Sequence, residues 1–324
     1  LPSSVESLMV YNSGTASTMF AASGTAVYNV TSAGSVGSAV ITSLTNARFQ
    51  SVNMTTSGGS FLFICNGADA PRHWNGSSWA TPTLGSVTAA NIINVEVYKE
   101  RLFFVLKDSL TYGYLPVNAV AGTVASVNLG SVFSKGGKIM AIATWTRDGG
   151  AGPDDNILFF TDQGEIAMYS GTDPSDATKW GLVGVYTVGR PIGHRCMLKV
   201  GSDCYLVTEN GLLPMTQVLG TGEAAPNVAL SDKISSSYNS SVVEFKGTFG
   251  WQGVVYPKGG YAAVNAPSST VGDFIQYIIN LETGAWSRFT NQNAYVWAVF
   301  NSDLYFGGNT KVHKADSGTD DSGS

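Results

Sequence analysis

The 324-residue chain is 44% hydrophobic but only 13% charged, against about 25% charged residues in ordinary soluble proteins, and it carries 38 glycines. Its net charge of −5 is spread thinly, with no Lys/Arg cluster longer than a pair, which argues against tight nucleic-acid binding. No apolar run approaches the roughly 18 residues of a membrane span and none looks like the centre of a signal peptide, so membrane insertion by this chain is not expected.

Along the chain one phrase returns: an apolar run, a polar turn with glycine, then a second apolar run. It reads TMFAASGTAVYNV from Thr18, FLFICNGADAPRHW from Phe61, RLFFVLKDSLTYGYL from Arg101 and LFFTDQGEIAMYSG from Leu158. It continues as CYLVTENGLLPMTQ from Cys204, GYAAVNAPSSTVGDFIQYIIN from Gly260 and DLYFGGNTKVHKA from Asp303. With Phe20, Leu62, Phe103, Phe159, Tyr205, Ala262 and Tyr305 as equivalent points, the steps are 42, 41, 56, 46, 57 and 43 residues. That period belongs to propeller blades.

Each phrase follows another apolar stretch, such as SLMVYN, INVEVY or YVWAVF, and most precede a further one, such as WGLVGVYTV or AWSRF. A unit is therefore about four short strands, and the phrase is its middle hairpin. Leu102, Phe103, Phe104 and Val105 are apolar at consecutive positions, as a strand buried on both faces requires. Gly, Asn and Asp fill the turns, as at Asp162-Gln163-Gly164 and Glu209-Asn210-Gly211, because tight hairpins need backbone angles those residues reach at low cost.

A four-stranded unit cannot bury both faces alone; a closed ring of such units can. The expectation is an all-β protein, one β-propeller domain over residues 1–324 with seven blade-like repeats, six remaining open because of the two longest steps. The extra length is assigned to insertions at 114–138, 145–156 and 218–245. Within the last, ALSDKISSSYN predicts a short helix with Ser231 capping Asp232, Lys233 and Ile234; a second helical turn is expected over Pro174 to Lys179, opened by Asp173.

Chemistry-bearing residues are sparse. Cys65, Cys196 and Cys204 form no disulfide framework, and a turn near Gly201 and Ser202 would pair Cys196 and Cys204 with other residues, so buried reduced thiols are expected. His73, His194 and His313 fall in different blades; only His194 has a cysteine, Cys196, at metal-ligand spacing, and two ligands are too few for a structural metal. Sequons at Asn29, Asn53, Asn75 and Asn239 arise readily in a chain this rich in Asn, Ser and Thr.

The loop WTRDGGAGPDDN carries Asp148, Asp154 and Asp155, but without the alternating oxygen ligands and closing Glu of a calcium loop. It reads as a solvated turn, and Arg147, Asp148, Asp154 and Asp155 become candidate inter-subunit ion-pair residues should copies form a ring. Turns such as LETGAW and NGSSW only faintly match the aspartate turns of sialidase-like propellers, and no acid and base pair is marked for glycoside hydrolysis. Hydrolase, phosphate-loop and dinucleotide motifs are not found either. No catalytic residue, cofactor or metal is expected.

The ordered words NGADAPRHWNGSSW, YKERLFFV, LGSVFSKGGKIMAIATWTRDGG, YSGTDPSDATKW, VGVYTVGRPIGHR, ENGLLPM, ALSDKI, FGWQ, TGAWSRFT and LYFGGN resemble the tail nozzle, or tail tubular, proteins of short-tailed bacteriophages. The likeness runs from about Val5 to Asp320. It implies a structural virion protein: a subunit of a hexameric ring that extends the DNA channel, retains packaged genome and serves DNA ejection. It implies a tail adaptor above, tail fibre or spike proteins as neighbours, double-stranded DNA passing without tight binding, and a place in the virion tail after assembly in the bacterial cytoplasm. Members usually carry a segment before and another after this region, which leaves adaptor docking and the channel gate unassigned. Sparse acidic charge suits such a conduit, since each Lys or Arg meeting a phosphate would slow transit. Insertions 114–138 and 218–245 are the preferred contact segments. The alternatives are a carbohydrate-binding or receptor-binding propeller and, after it, a glycosidase.

Overall fold

The computed structural model describes residues 1–148, 153–221, 229–268 and 272–317. Seven small antiparallel sheets follow one another in chain order and close into a ring, a seven-bladed β-propeller. The two longest steps in the repeat are therefore insertions within blades, and the six-blade count falls.

The innermost strands are Val5–Asn12, Gln50–Thr56, Ile92–Tyr98, Ile139–Asp148, Met197–Val200, Gln252–Tyr256 and Val296–Phe300, for blades 1 to 7 respectively. Each pairs with the second strand of its blade, which in turn pairs with a third. Blades 2, 3, 4 and 6 have a fourth, outer strand; in blade 1 the bridge between Val27 and Ile41 occupies that position.

The second strands carry the core because each is covered on both sides. Leu102 and Phe104 turn into the cluster shared with blade 2, while Phe103 and Val105 turn into the cluster shared with blade 4. Ile157 and Phe159 repeat the pattern against Leu158 and Phe160, which face blade 5. The apolar core is thus a set of clusters lying in the clefts between neighbouring blades. At about 25 cal/mol per Å² of apolar area, burial on two faces stabilises a strand far more than its ladder hydrogen bonds do.

Hairpin geometry enforces the phrase. Gly164 turns the blade 4 hairpin with φ +79°, and an added Cβ would lie 2.4 Å from the Val188 carbonyl oxygen, so both the angle and the space demand glycine.

At the ring's seam blade 7 meets blade 1. Val5 donates its amide to Gly308 O at 3.0 Å, Thr310 donates to Ser3 O at 3.2 Å, and the Leu1 amino group donates to Thr310 O at 2.9 Å. Val5, Leu8, Val296 and Phe300 share the apolar cluster beneath.

The segments read as insertions have structure of their own. Residues 114–138 supply the outer strand of blade 3, Ala125–Asn128, and a short parallel pair between Gly122–Thr123 and Leu84–Gly85. Within 145–156 the described residues are ladder: Trp145 to Asp148 continue the inner strand of blade 4 opposite Asn156 to Pro153. The third holds helix α1, Met215–Thr221, a 3-10 turn at Leu230–Ile234 and helix α2, Ser235–Phe245.

Two local expectations are corrected. Ser231 does not cap the turn that follows it: Ala229 stands at the cap, and Ser231 Oγ accepts the Leu212 amide at 3.0 Å, fastening the turn to blade 5. Residues 174–179 form two successive turns and no helix, because Asp173 Oδ1 accepts from the Ser175 amide and Asp176 Oδ1 from the Thr178 amide. Such side-chain bonds compete with the helical ladder.

Candidate functional site

The inner strands converge on the propeller axis, where a chamber of about 270 Å³ is lined by Leu8, Gln50, Glu96, Ala143, Lys199, Gln252 and Trp297, one from each blade. The beginnings of these strands gather at one mouth. There a second cavity, of about 290 Å³, opens among Arg48, Gln50, His194, Arg195, Lys246 and Phe249. Gln50, His194 and Arg195 belong to both cavities and so form the partition between them. A larger groove of about 570 Å³ lies on the outer side of the seam, among Val30 to Val36 and Thr310 to Lys314. It gathers Lys311 and Lys314 but no convergent set of polar groups, so the axial pair is the better candidate.

Arg195 precedes the inner strand of blade 5 and reaches across the axis to blades 1 and 2. Its Nη2 donates to Glu6 O at 2.9 Å, to Ser7 Oγ at 2.8 Å and to Phe49 O at 3.0 Å. Ser7 Oγ also accepts the Phe49 amide at 2.7 Å and donates to Ala47 O at 2.6 Å, which locks the acceptors in place. The guanidinium carbon sits 5.4 Å from the Phe249 ring centre, and that of Arg48 sits 4.3 Å from the same centre. Burial, with Arg48 adding to it and Glu6 opposing, pushes Arg195 down to about 10.

Arg48 pairs with Glu6 at 3.2 Å, and Lys246 pairs with Glu209 at 3.2 Å. His194 Nδ1 lies 2.6 Å from Met140 O, and since a carbonyl can only accept, that nitrogen carries the proton. Burial lowers the His194 pKa, so the ring is neutral near pH 7 and offers Nε2 as an acceptor. Deeper in the chamber, burial raises the Glu96 pKa against the opposing pull of Lys199, whose Nζ donates to Thr144 Oγ1 at 2.6 Å. Charged side chains of blades 1, 2, 3 and 5, with Lys246 ahead of blade 6, thus gather around the axis, and the arrangement can hold small polar or anionic groups.

The four residues singled out in the blade 4 hairpin divide. Asp155 is tied within the chain: its carboxylate takes the Lys99 ammonium and the Thr146 hydroxyl, the latter at 2.9 Å, and Lys99 foremost holds its pKa below the usual carboxylate range. Arg147 stands opposite Asp154, and Asp148 opposite Pro153, in the backbone ladder; the side chains of Arg147, Asp148 and Asp154 lie outside the described residues. Cys65, Cys196 and Cys204 are buried and free, with Cys204 opposite Lys199 and not Cys196. Among the described residues, no three His, Cys, Asp or Glu side chains come together where they could hold a metal. Nor is any helix there long and apolar enough to cross a membrane. Trp74 and Trp79, flanking the NGSSW turn, are turned inward onto Phe20, at ring-centre distances of 5.1 and 4.9 Å.

The mouth cluster escaped sequence reading because its members come from positions 6, 48, 195, 246 and 249, with no spacing that joins them. The signal present was indirect: Arg195 stands between His194 and Cys196, the pair considered for a metal.

No protein-family description matches the chain, and no curated protein does. Among solved structures, by contrast, 145 chains match. One of them, described as "YCF48 bound to D1 peptide", aligns with a TM-score of 0.53 over 96% of this chain and 90% of its own, at 8% identity. At that identity the likeness establishes the seven-bladed propeller and no activity.

Proposed function

We propose that this chain is a structural subunit of a virion tail, one copy in a hexameric nozzle of the short-tailed phage type. In this reading it extends the DNA channel below an adaptor, helps retain packaged DNA, serves its ejection and performs no catalysis. The ordered sequence resemblance to tail nozzle proteins supports it.

The observation that carries the assembly is the outer strand of blade 4, Trp180–Thr187, whose far edge is unpaired among the described residues. Leu182, Val183 and Val185 are 46%, 48% and 38% exposed, and the strand holds no charged residue. A shift in register opposite Met168 and Tyr169 leaves Val183 without a ladder partner, which turns apolar side chains outward. Monomers blunt such edges with charge or proline; an uncharged apolar edge suits contact with a neighbouring subunit. Because Arg195 spans the axial mouth of one propeller, the bore of such a ring runs between copies and not through any one of them.

Mass photometry and negative-stain imaging of the purified protein test the proposal. Six-fold rings with a central hole are expected, with Val183→Asp shifting the population to smaller species at unchanged fold. A protein that stays monomeric at tens of micromolar, with Val183→Asp indistinguishable from it, sinks the reading.

A further inference from the structure

Arg195 is half-buried, with its Nη1 fully buried, and it has no counter-ion in contact among the described residues. Its Nη2 is held by two carbonyls and a hydroxyl, its Nη1 is buried without a hydrogen-bond partner among the described residues, and Glu6, the nearest acid acting on it, is paired with Arg48. Buried charges in proteins are ordinarily paired, because dipoles alone replace the lost water incompletely. A second guanidinium, that of Arg48, is held against the same Phe249 ring, and the Lys246 ammonium stands on the same rim. Glu6 and Glu209 offset Arg48 and Lys246, which leaves one positive charge of the three without a matching carboxylate in contact.

We infer that the axial mouth is an oxyanion-binding site in which Arg195, Arg48 and Lys246 receive a single carboxylate or phosphate group. Guanidinium forks match the paired oxygens of either group, and a cavity of about 290 Å³ admits one such group with a short stem. The neutral amide of Gln50 lines the same wall and can donate to a remaining oxygen. Phe249 floors the site with an apolar face that keeps the two guanidiniums oriented. This holds whether or not the protein assembles into rings, because every residue named belongs to one chain.

Calorimetric titration and thermal-shift assays at low ionic strength test it with two probes. One is inorganic phosphate; the other is a short peptide with a free C-terminal carboxylate, run beside its C-amidated form. Saturable binding of phosphate supports a site for free anions, and binding of the acid peptide but not of the amide supports a polypeptide carboxylate as the natural occupant. Arg195→Gln is expected to abolish binding, but Arg195 also joins blades, so Arg48→Gln and Lys246→Gln on the exposed rim serve as independent variants. Each should weaken binding at least about ten-fold while leaving the unfolding midpoint without ligand close to that of the parent protein. Absence of a saturable response tighter than about 1 mM to either probe overturns the inference, as does binding that both rim variants leave unchanged.

Discussion

Across the cleft between blades 6 and 7, the Asn265 side-chain oxygen accepts the indole N–H of Trp297 at 3.0 Å. Asn265 is fully buried and satisfied on every side. Its amide nitrogen donates to Gly250 O at 2.7 Å and Ala294 O at 2.9 Å, and its oxygen also accepts from Gln276 Nε2 at 2.8 Å. One amide therefore fastens the start of blade 7 to blade 6. Removing it in Asn265→Ala strands an indole donor and two carbonyls in the core, and a loss of about 3 kcal/mol is expected. Urea unfolding followed by tryptophan fluorescence measures it; a change under about 0.5 kcal/mol, the range of an ordinary surface substitution, contradicts the account.

Glu165 performs a comparable task between segments. Its carboxylate accepts the Ser134 amide at 3.1 Å, the Ser134 hydroxyl at 2.7 Å and the Lys135 amide at 2.7 Å, drawing the end of the 114–138 segment onto blade 4. Burial alone would raise its pKa, but those donors together hold it below the usual glutamate range. A depressed carboxylate adds stability that is present above the unfolded-state pKa and lost as pH falls through the folded one. Stability of the parent protein should therefore decline on acidification from about pH 5. Glu165→Gln, less stable at pH 7 by about 2 kcal/mol, should show a flatter acid limb in urea midpoints taken across pH.

Gly307 marks the seam between the last blade and the first. An added Cβ would lie 2.6 Å from Val5 Cγ1 and 2.8 Å from Val296 Cγ1, so Gly307→Ala has to push the first strand outward. Overpacking of this kind costs about 1–3 kcal/mol and should lower Tm by several degrees. Gly247→Ala, where the new methyl meets nothing within 4 Å, is the matched control and should leave Tm nearly unchanged.

The thiols of Cys196 and Cys204 are pushed up to about 12 by burial, and that of Cys65 is raised further by the same cause. None forms appreciable thiolate at pH 8, and none is accessible in the native protein. A colourimetric thiol reagent should therefore find almost no reactive cysteine in the folded chain and all three in urea.

Blade number and the buried second strands were legible because burial on two faces writes itself as consecutive apolar residues, as at Leu102 to Val105, and the hairpin repeats that signature. The axial mouth was not legible, since closing the ring is what brings Glu6, Arg48 and Arg195 together. Local polar chemistry misled in two places: Asp173, Asp176 and Ser231 have side chains that serve equally well as caps, turn formers or tethers, and bonds to the amides two residues on decided the first two while a tertiary contact decided the third. In the sequence Asp155 reads as one acid of a solvated turn, and in the structure Lys99, in the hairpin turn of the blade beside it, takes its carboxylate. Nothing in the spacing of those two residues announces the pair.

The seam at Val5 and Gly308 makes this molecule a split ring. At every other junction a peptide connection backs the packing of neighbouring vanes, whereas here two backbone hydrogen bonds and an apolar cluster act without it. Breathing, whether thermal or under axial load, should begin as a gap at this clasp, and a covalent staple placed across it would stiffen all seven blades at once.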